Sequence, residues 1–358
     1  MFLAFAIAVA VICGMLRDPI TLQAETPVKT LKATDPASSR GGSITPTCRT
    51  AIERGTKWLA GGITRRGVSA EISQPADLSC TSMVGLALLS QGNTLSEGVY
   101  SKELRQLLDA VLNRVEEFGD DYQPQVANTL VQRKIGKNVE LFLSALFLSQ
   151  MLGDCGQRDQ EIRQSLQKLV VIIGATQGKD GTWGNESWAP VLGTVLGWES
   201  LRAASSCGLK IEASAELAGE ALLTKLKTKS ENERDWMHDL YKDASSIRVL
   251  HSQRFRKDPL LEECVQRIVS VARTDDRPFI YAGGEEFLAF FLTTECLLQE
   301  PRQTWNAWYP TVRDKLIRVQ NRDGSWSGHH CITSRTFCTA AALLTLQAPN
   351  RYLPVSDL

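Results

Sequence analysis

Apolar residues return at helical spacing twelve times along this chain, and the twelve stretches fall into pairs in which the second helix is often the more apolar and the poorer in charge. The pairs are 49–61 with 78–91, 103–117 with 138–152, 160–176 with 189–206, 213–227 with 241–253, 258–273 with 283–299, and 306–320 with 333–347. First members begin every 45 to 57 residues, the period of a helical-hairpin array. The two members differ in kind: Glu140–Leu152 and Phe287–Leu298 are apolar on all sides, whereas Glu161–Thr176 has a charged face. A helix apolar all round is buried on more than one side. The second helices are therefore expected to form an inner ring and the first helices an outer one. No stretch alternates strictly enough to mark a strand, so the expectation is an all-α domain, an α/α toroid of six hairpins over 47–354.

Two corners between an outer and an inner helix share a sequence, Gln177-Gly178-Lys179-Asp180-Gly181-Thr182-Trp183 and Gln320-Asn321-Arg322-Asp323-Gly324-Ser325-Trp326. Asp-Gly permits a positive φ at a sharp turn, Gln can reach free helix-end groups, and Trp can cover the neighbouring hairpin. This Q-x-x-D-G-[ST]-W pattern resembles the repeat of squalene cyclases and the equivalent turn of protein prenyltransferase β subunits. The resemblance implies inner helices around a central cavity that accepts an apolar, isoprenoid-like ligand. The family's reactive motifs are not reproduced. The nearest approach to the cyclase Asp-x-Asp-Asp acid is Arg273-Thr274-Asp275-Asp276, and the zinc triad of prenyltransferases has no counterpart at Gly284-Glu285-Glu286-Phe287 or Ser334-Arg335-Thr336-Phe337. Whether the chain is an enzyme stays open at this level.

Ahead of the array, Met1 to Leu16 is almost wholly apolar, and Leu22-Gln23-Ala24 offers a small-residue cleavage site, so residues 1–24 read as a signal peptide. An uncleaved N-terminal anchor is the alternative, because no basic residue precedes the apolar run. Residues 25–46, rich in Pro, Ser, Thr and Gly, read as a flexible linker. The expected location is exported, periplasmic or extracellular, with membrane contact only through the N-terminal segment. Forty basic and forty acidic residues cancel, which leaves no global field to attract nucleic acid. The expected partner is an apolar small molecule or, on the alternative reading of a non-catalytic scaffold, an exported protein. Of nine cysteines, eight follow the signal segment, and none forms a CxxC pair.

Parallel inner helices would gather their N-termini, with free N–H groups and favourable dipoles, at one rim. The densest polar cluster falls there: Tyr281, Glu285 and Glu286 before and on one inner helix, and His329, His330, Cys331, Ser334 and Arg335 before the next. Glu285, Glu286, His329, His330 and Arg335 are the candidate catalytic residues. His330, Cys331 and Glu286 are the candidate ligands of a metal, zinc by donor type. The alternative is structural: Glu285 and Glu286 favour their helix N-terminus, Arg335 pairs with one of them, and Cys331 forms a disulfide with Cys338 or another cysteine.

Overall fold

The computed structural model describes residues 43–350 apart from 72–73, 120–121, 126–128, 212, 228–235 and 252–257. The signal segment and nearly all of the linker lie outside the described residues. All twelve expected helices are present. The outer ones are α1 (Pro46–Gly61), α3 (Ser101–Glu116), α6 (Asp159–Ala175), α8 (Ser214–Lys227), α10 (Pro259–Thr274) and α13 (Arg302–Arg318). The inner ones are α2 (Leu78–Leu89), α5 (Val139–Met151), α7 (Pro190–Ser206), α9 (Trp236–Leu250), α12 (Gly284–Leu297) and α14 (Arg335–Gln347). Two short helices were not foreseen, α4 (Leu130–Ile135) and α11 (Arg277–Ile280). There is no β-strand among the described residues, and no helix there is long and apolar enough to cross a membrane.

The inner helices pack in the cyclic order α2, α5, α7, α9, α12, α14 and back to α2, which closes the ring. Their charge-poor sequences suit this place: every residue of α12 is buried, as is α14 from Thr336 to Gln347. Outer helices bury only one stripe, such as Leu104, Leu107, Leu108, Val111 and Val115 of α3.

The two matching corners are built alike. Trp183 Nε1 donates to Ile173 O at 3.1 Å and Trp326 Nε1 to Leu316 O at 2.8 Å, each reaching ten residues back. Asp180 and Asp323 each accept from the hydroxyl two residues on, Thr182 and Ser325, at 2.8 Å. Gly181 and Gly324 take φ of 79° and 99°, where a side chain would be strained. The glutamines tie each corner to the next repeat. Gln177 Nε2 donates to Gly181 O and to Ser214 O at the start of α8, both at 2.9 Å. Gln320 Nε2 donates to Gly324 O at 2.8 Å and to Ala51 O of α1 at 2.9 Å, so the last hairpin is clasped to the first across the ring seam.

Along the axis the inner side chains meet. Met83, Leu86, Leu143, Leu146, Leu288 and Phe291 are among those lining a cavity of about 20 Å³. That is room for one water, which needs about 10–15 Å³ by the same measure. Arg248, Glu199 and Glu295 also face this space.

Candidate functional site

Lys134 organises the rim where the inner helices begin. It sits on α4, whose N-terminus is set by a capping box: Thr129 Oγ1 accepts from Gln132 N at 3.3 Å, and Thr129 N donates to Gln132 Oε1 at 3.3 Å. Gly136, with φ of 125°, ends the helix. Because α4 packs on α5 and α7, the ammonium points toward the ring and reaches Glu285 Oε1, in the first turn of α12, at 3.0 Å. It lies 5.0 Å from the centroid of the Tyr241 ring on α9 and 3.6 Å from Cys331 Sγ. The ion pair joins α4, which packs on α5 and α7, to the start of α12. Both residues are buried, Lys134 at 3% exposure and Glu285 at 0%.

Glu285 and Glu286 are consecutive, yet their carboxylates meet one imidazole. His330 Nδ1 lies 3.4 Å from Glu285 Oε1, and its Nε2 lies 3.2 Å from Glu286 Oε2. The loop that carries His330 is zipped to the start of α12: His329 N donates to Ala282 O at 2.8 Å and Gly284 N to Ile332 O at 2.9 Å. Gly283 N donates to Glu286 Oε2 at 2.6 Å, and Glu286 Oε1 is enclosed with no hydrogen-bond partner. Cys331 holds the loop's turn at φ of 45°, the one positive value outside glycine among the described residues.

The charges sort themselves by environment. Burial pushes Glu285 up, but His330 and the Lys134 charge outweigh it and hold the carboxyl at about 2. Glu286 is raised, first by burial and then by the charge on Glu285, against the pull of His330. His330 is raised to about 11 by Glu285 and then Glu286, so it is a cation at neutral pH. Burial opposes the Lys134 charge, and Glu285 more than restores it. Two neighbouring carboxyls driven apart in this way is the arrangement in which one serves as acid while the other stays ionised.

The same shifts set a pH dependence. With its folded value raised, His330 adds stability that is complete below its ordinary 6.5 and is lost as the pH climbs toward about 11. With its folded value lowered, Glu285 adds stability that is complete above its ordinary 4.5 and is lost as the pH falls toward about 2. Both contributions are whole only between about 4.5 and 6.5. The difference in unfolding free energy between the native chain and His330→Ala should therefore be largest in that window and shrink steadily from pH 7 to pH 10. A difference that stays flat from pH 5 to pH 10, measured by urea titration, would show that His330 carries no charge into this cluster.

Not every expected site residue comes to the cluster. His329 contributes its backbone to the zipper while its side chain is exposed. Arg335 pairs with neither glutamate. Its guanidinium is hydrogen-bonded to Asp323 and Ser325 of the corner turn and lies 5.0 Å from the Trp58 ring centroid, because the first turn of α14 directs it back toward that corner. All eight described cysteines are free, so the Cys331–Cys338 bridge is not formed. Asp275 and Asp276 pair with Arg277 and Lys315 at 2.6 and 2.7 Å at the edge of α10 and α13, and those partners lower both carboxyls.

Glu285, His330 and Cys331 each offer a donor atom within 4.8 Å of the others, the makings of a three-ligand metal set. The sequence pointed to Glu286 for this carboxylate; the compact set takes Glu285 instead, while Glu286 holds the opposite imidazole nitrogen. The Lys134 ammonium already bonds Glu285 and Cys331, so a divalent ion would compete with it for the same donors.

Lys134 was missed from the sequence, and so were two further rim acids. Asp77, buried, caps α2 by accepting from Cys80 N at 2.7 Å, and Glu140 on α5, half-buried, accepts from the Tyr122 hydroxyl at 2.6 Å; desolvation raises both carboxyls. Around the same rim stand Trp188, Ile280 and Tyr281, at 54%, 46% and 56% exposure. They adjoin residues bonded into the cluster: Ala189 N donates to Lys134 O, and Ala282 O accepts from His329 N, both at 2.8 Å.

A structure of a single-residue variant of the type II terpene cyclase MstE from Scytonema, in its apo form, matches 86% of this chain and 98% of its own length, with 13% sequence identity and a TM-score of 0.51. The chain has a terpenoid cyclase-like fold. A second apo structure of MstE covers 86% of this chain and 99% of its own at 12% identity, with a TM-score of 0.37. No family model matches the sequence, and no curated protein matches it. At such identity the likeness of this cyclase-like toroid to MstE concerns architecture, and the roles of its rim residues rest on their own geometry.

Proposed function

We propose that this cyclase-like toroid binds an apolar, isoprenoid-like ligand at its rim and transfers a proton to it from Glu286, with His330 and ionised Glu285 setting the charge of the site. The observation that carries the reading is the convergence of two fully buried, consecutive carboxylates on one partly exposed imidazole, with their proton affinities driven apart. Trp188, Ile280 and Tyr281 supply the apolar surroundings that such a ligand needs. Lys134 stands among the donors that a metal would use, and the reading gives a metal no part.

The test is a tryptophan-fluorescence titration with geranylgeraniol, followed by incubation in D2O and mass analysis of the recovered ligand. Binding should weaken severalfold in Trp188→Phe. Deuterium should enter the alkene carbons with the native chain and not with Glu286→Gln, whose amide oxygen still accepts from Gly283 N. Deuterium transfer indifferent to Glu286→Gln would refute the role of that residue. Absence of binding would refute the ligand class and favour the second reading, a non-catalytic scaffold that offers the rim aromatics to an exported protein. The exposure of Trp188, Ile280 and Tyr281 is the observation on that side.

A further inference from the structure

Away from the rim, three charged side chains face the cavity on the axis: the acids Glu199 of α7 and Glu295 of α12, and Arg248 of α9. All are buried, at 2%, 4% and 6% exposure. Glu199 uses one oxygen on Arg248, with Oε2 accepting from Nη2 at 2.5 Å, while its Oε1 is enclosed and has no hydrogen-bond partner. An enclosed carboxylate oxygen is costly until a donor meets it. The rest of the lining is Leu, Met and Phe, whose side chains donate nothing. Arg202, one turn on from Glu199, is half-buried with its guanidinium 4.6 Å from the Trp198 ring centroid, and it is not part of the lining. Arg248 and Glu295 lie in the last turns of α9 and α12, so two helix C-termini bring partial negative charge to this end. The volume of about 20 Å³ admits one water-sized group.

We infer that this cavity binds a single ammonium ion, with Glu199 Oε1 accepting a charge-assisted hydrogen bond from it and the Glu295 carboxylate facing the same space. Ammonium is the size of a water, and it carries only donors, which suits a space whose open polar atom is an acceptor. Its bond to a carboxylate is stronger than that of a neutral water. Hard metal ions take about six to eight oxygens, more than two carboxylates supply, so ammonium is favoured over sodium. Glu295 follows Glu286 by nine residues, about 13 Å along α12. The inference therefore stands whether or not the rim takes an isoprenoid.

The experiment adds 15N-labelled ammonium chloride to the full chain at pH 6 and records proton spectra. An ion shut away from water should give its own signal, with slow proton exchange and about one ion per chain. Urea unfolding should have a higher midpoint in ammonium chloride than in sodium chloride of equal concentration, by an amount that saturates. Glu199→Gln turns a donor toward the cavity in place of the open oxygen and should weaken ammonium binding by about tenfold or more. Glu295→Gln leaves the Arg248–Glu199 pair intact and should weaken it severalfold. Unfolding curves that superimpose in the two salts, with no protected ammonium signal, would show that the cavity takes only water and would overturn the inference. A protected signal unchanged in both variants would place the ion elsewhere and overturn it equally. The native chain alone gives the first readout, so a variant that folds poorly does not leave the matter open.

Discussion

Replacing Lys134 with methionine is expected to lower the unfolding free energy by about 3–5 kcal/mol, as is typical when one member of a buried ion pair is removed. The Glu285 carboxylate would be left in a site with no solvent access, opposed only by His330 on one side, and its proton affinity would rise until it takes up a proton. The partner substitution tests the cause. Glu285→Gln in the Lys134→Met background removes the orphaned charge, so the double variant should recover most of the loss. Urea unfolding at pH 6 and pH 8 measures both. A loss below 1 kcal/mol for Lys134→Met would mean that the ammonium reaches water in solution and that the bridge does not tie α4 to α12.

This residue also shows how far the sequence could be read. The ring is visible in the alternation of charged and apolar helices because burial of α12 and α14 on all sides leaves no face for a charge, and that requirement is written into every position. The corner turns are visible because their glycines and aspartates answer to backbone geometry within a few residues. Lys134 was not visible because its role depends on the meeting of α4 with α12, far apart in the chain. Its helix did leave a local sign, Thr129-x-x-Gln132, which reads as a capping box once looked for. Arg335 was misplaced for the converse reason. Its position at the start of an inner helix was read correctly, but side-chain direction then took it to Asp323 on the corner behind. The convergence of Glu285 and Glu286 on one imidazole also escaped the sequence: adjacent helical residues diverge by about 100°, and the shared partner comes from a loop that reaches both.

At the far end of the axis, away from the rim, a second buried pair makes the opposite prediction about necessity. Arg248 of α9 meets Glu199 of α7 at 2.5 Å, both fully inside, and Arg248 Nη1 lies 3.6 Å from Cys296 Sγ on α12. Burial pushes the Cys296 thiol up to about 11, while burial of Arg248 is outweighed by Glu199, so the guanidinium stays charged. Arg248→Met alone should cost about 3–5 kcal/mol, because Glu199 loses its buried partner. Arg248→Met with Glu199→Leu removes this pair, leaves Glu295 as the acid facing the same space, and extends the surface already formed by Leu196, Leu288 and Phe291. If the pair only fills space, the double variant should match the native chain or exceed it by about 1–4 kcal/mol, as hydrophobic replacements of buried pairs have done elsewhere. If the double variant instead unfolds like the single one, the pair fixes the register of α7, α9 and α12, and the axis of this toroid is held by charge as much as by packing. Guanidinium unfolding of the three chains side by side distinguishes the outcomes.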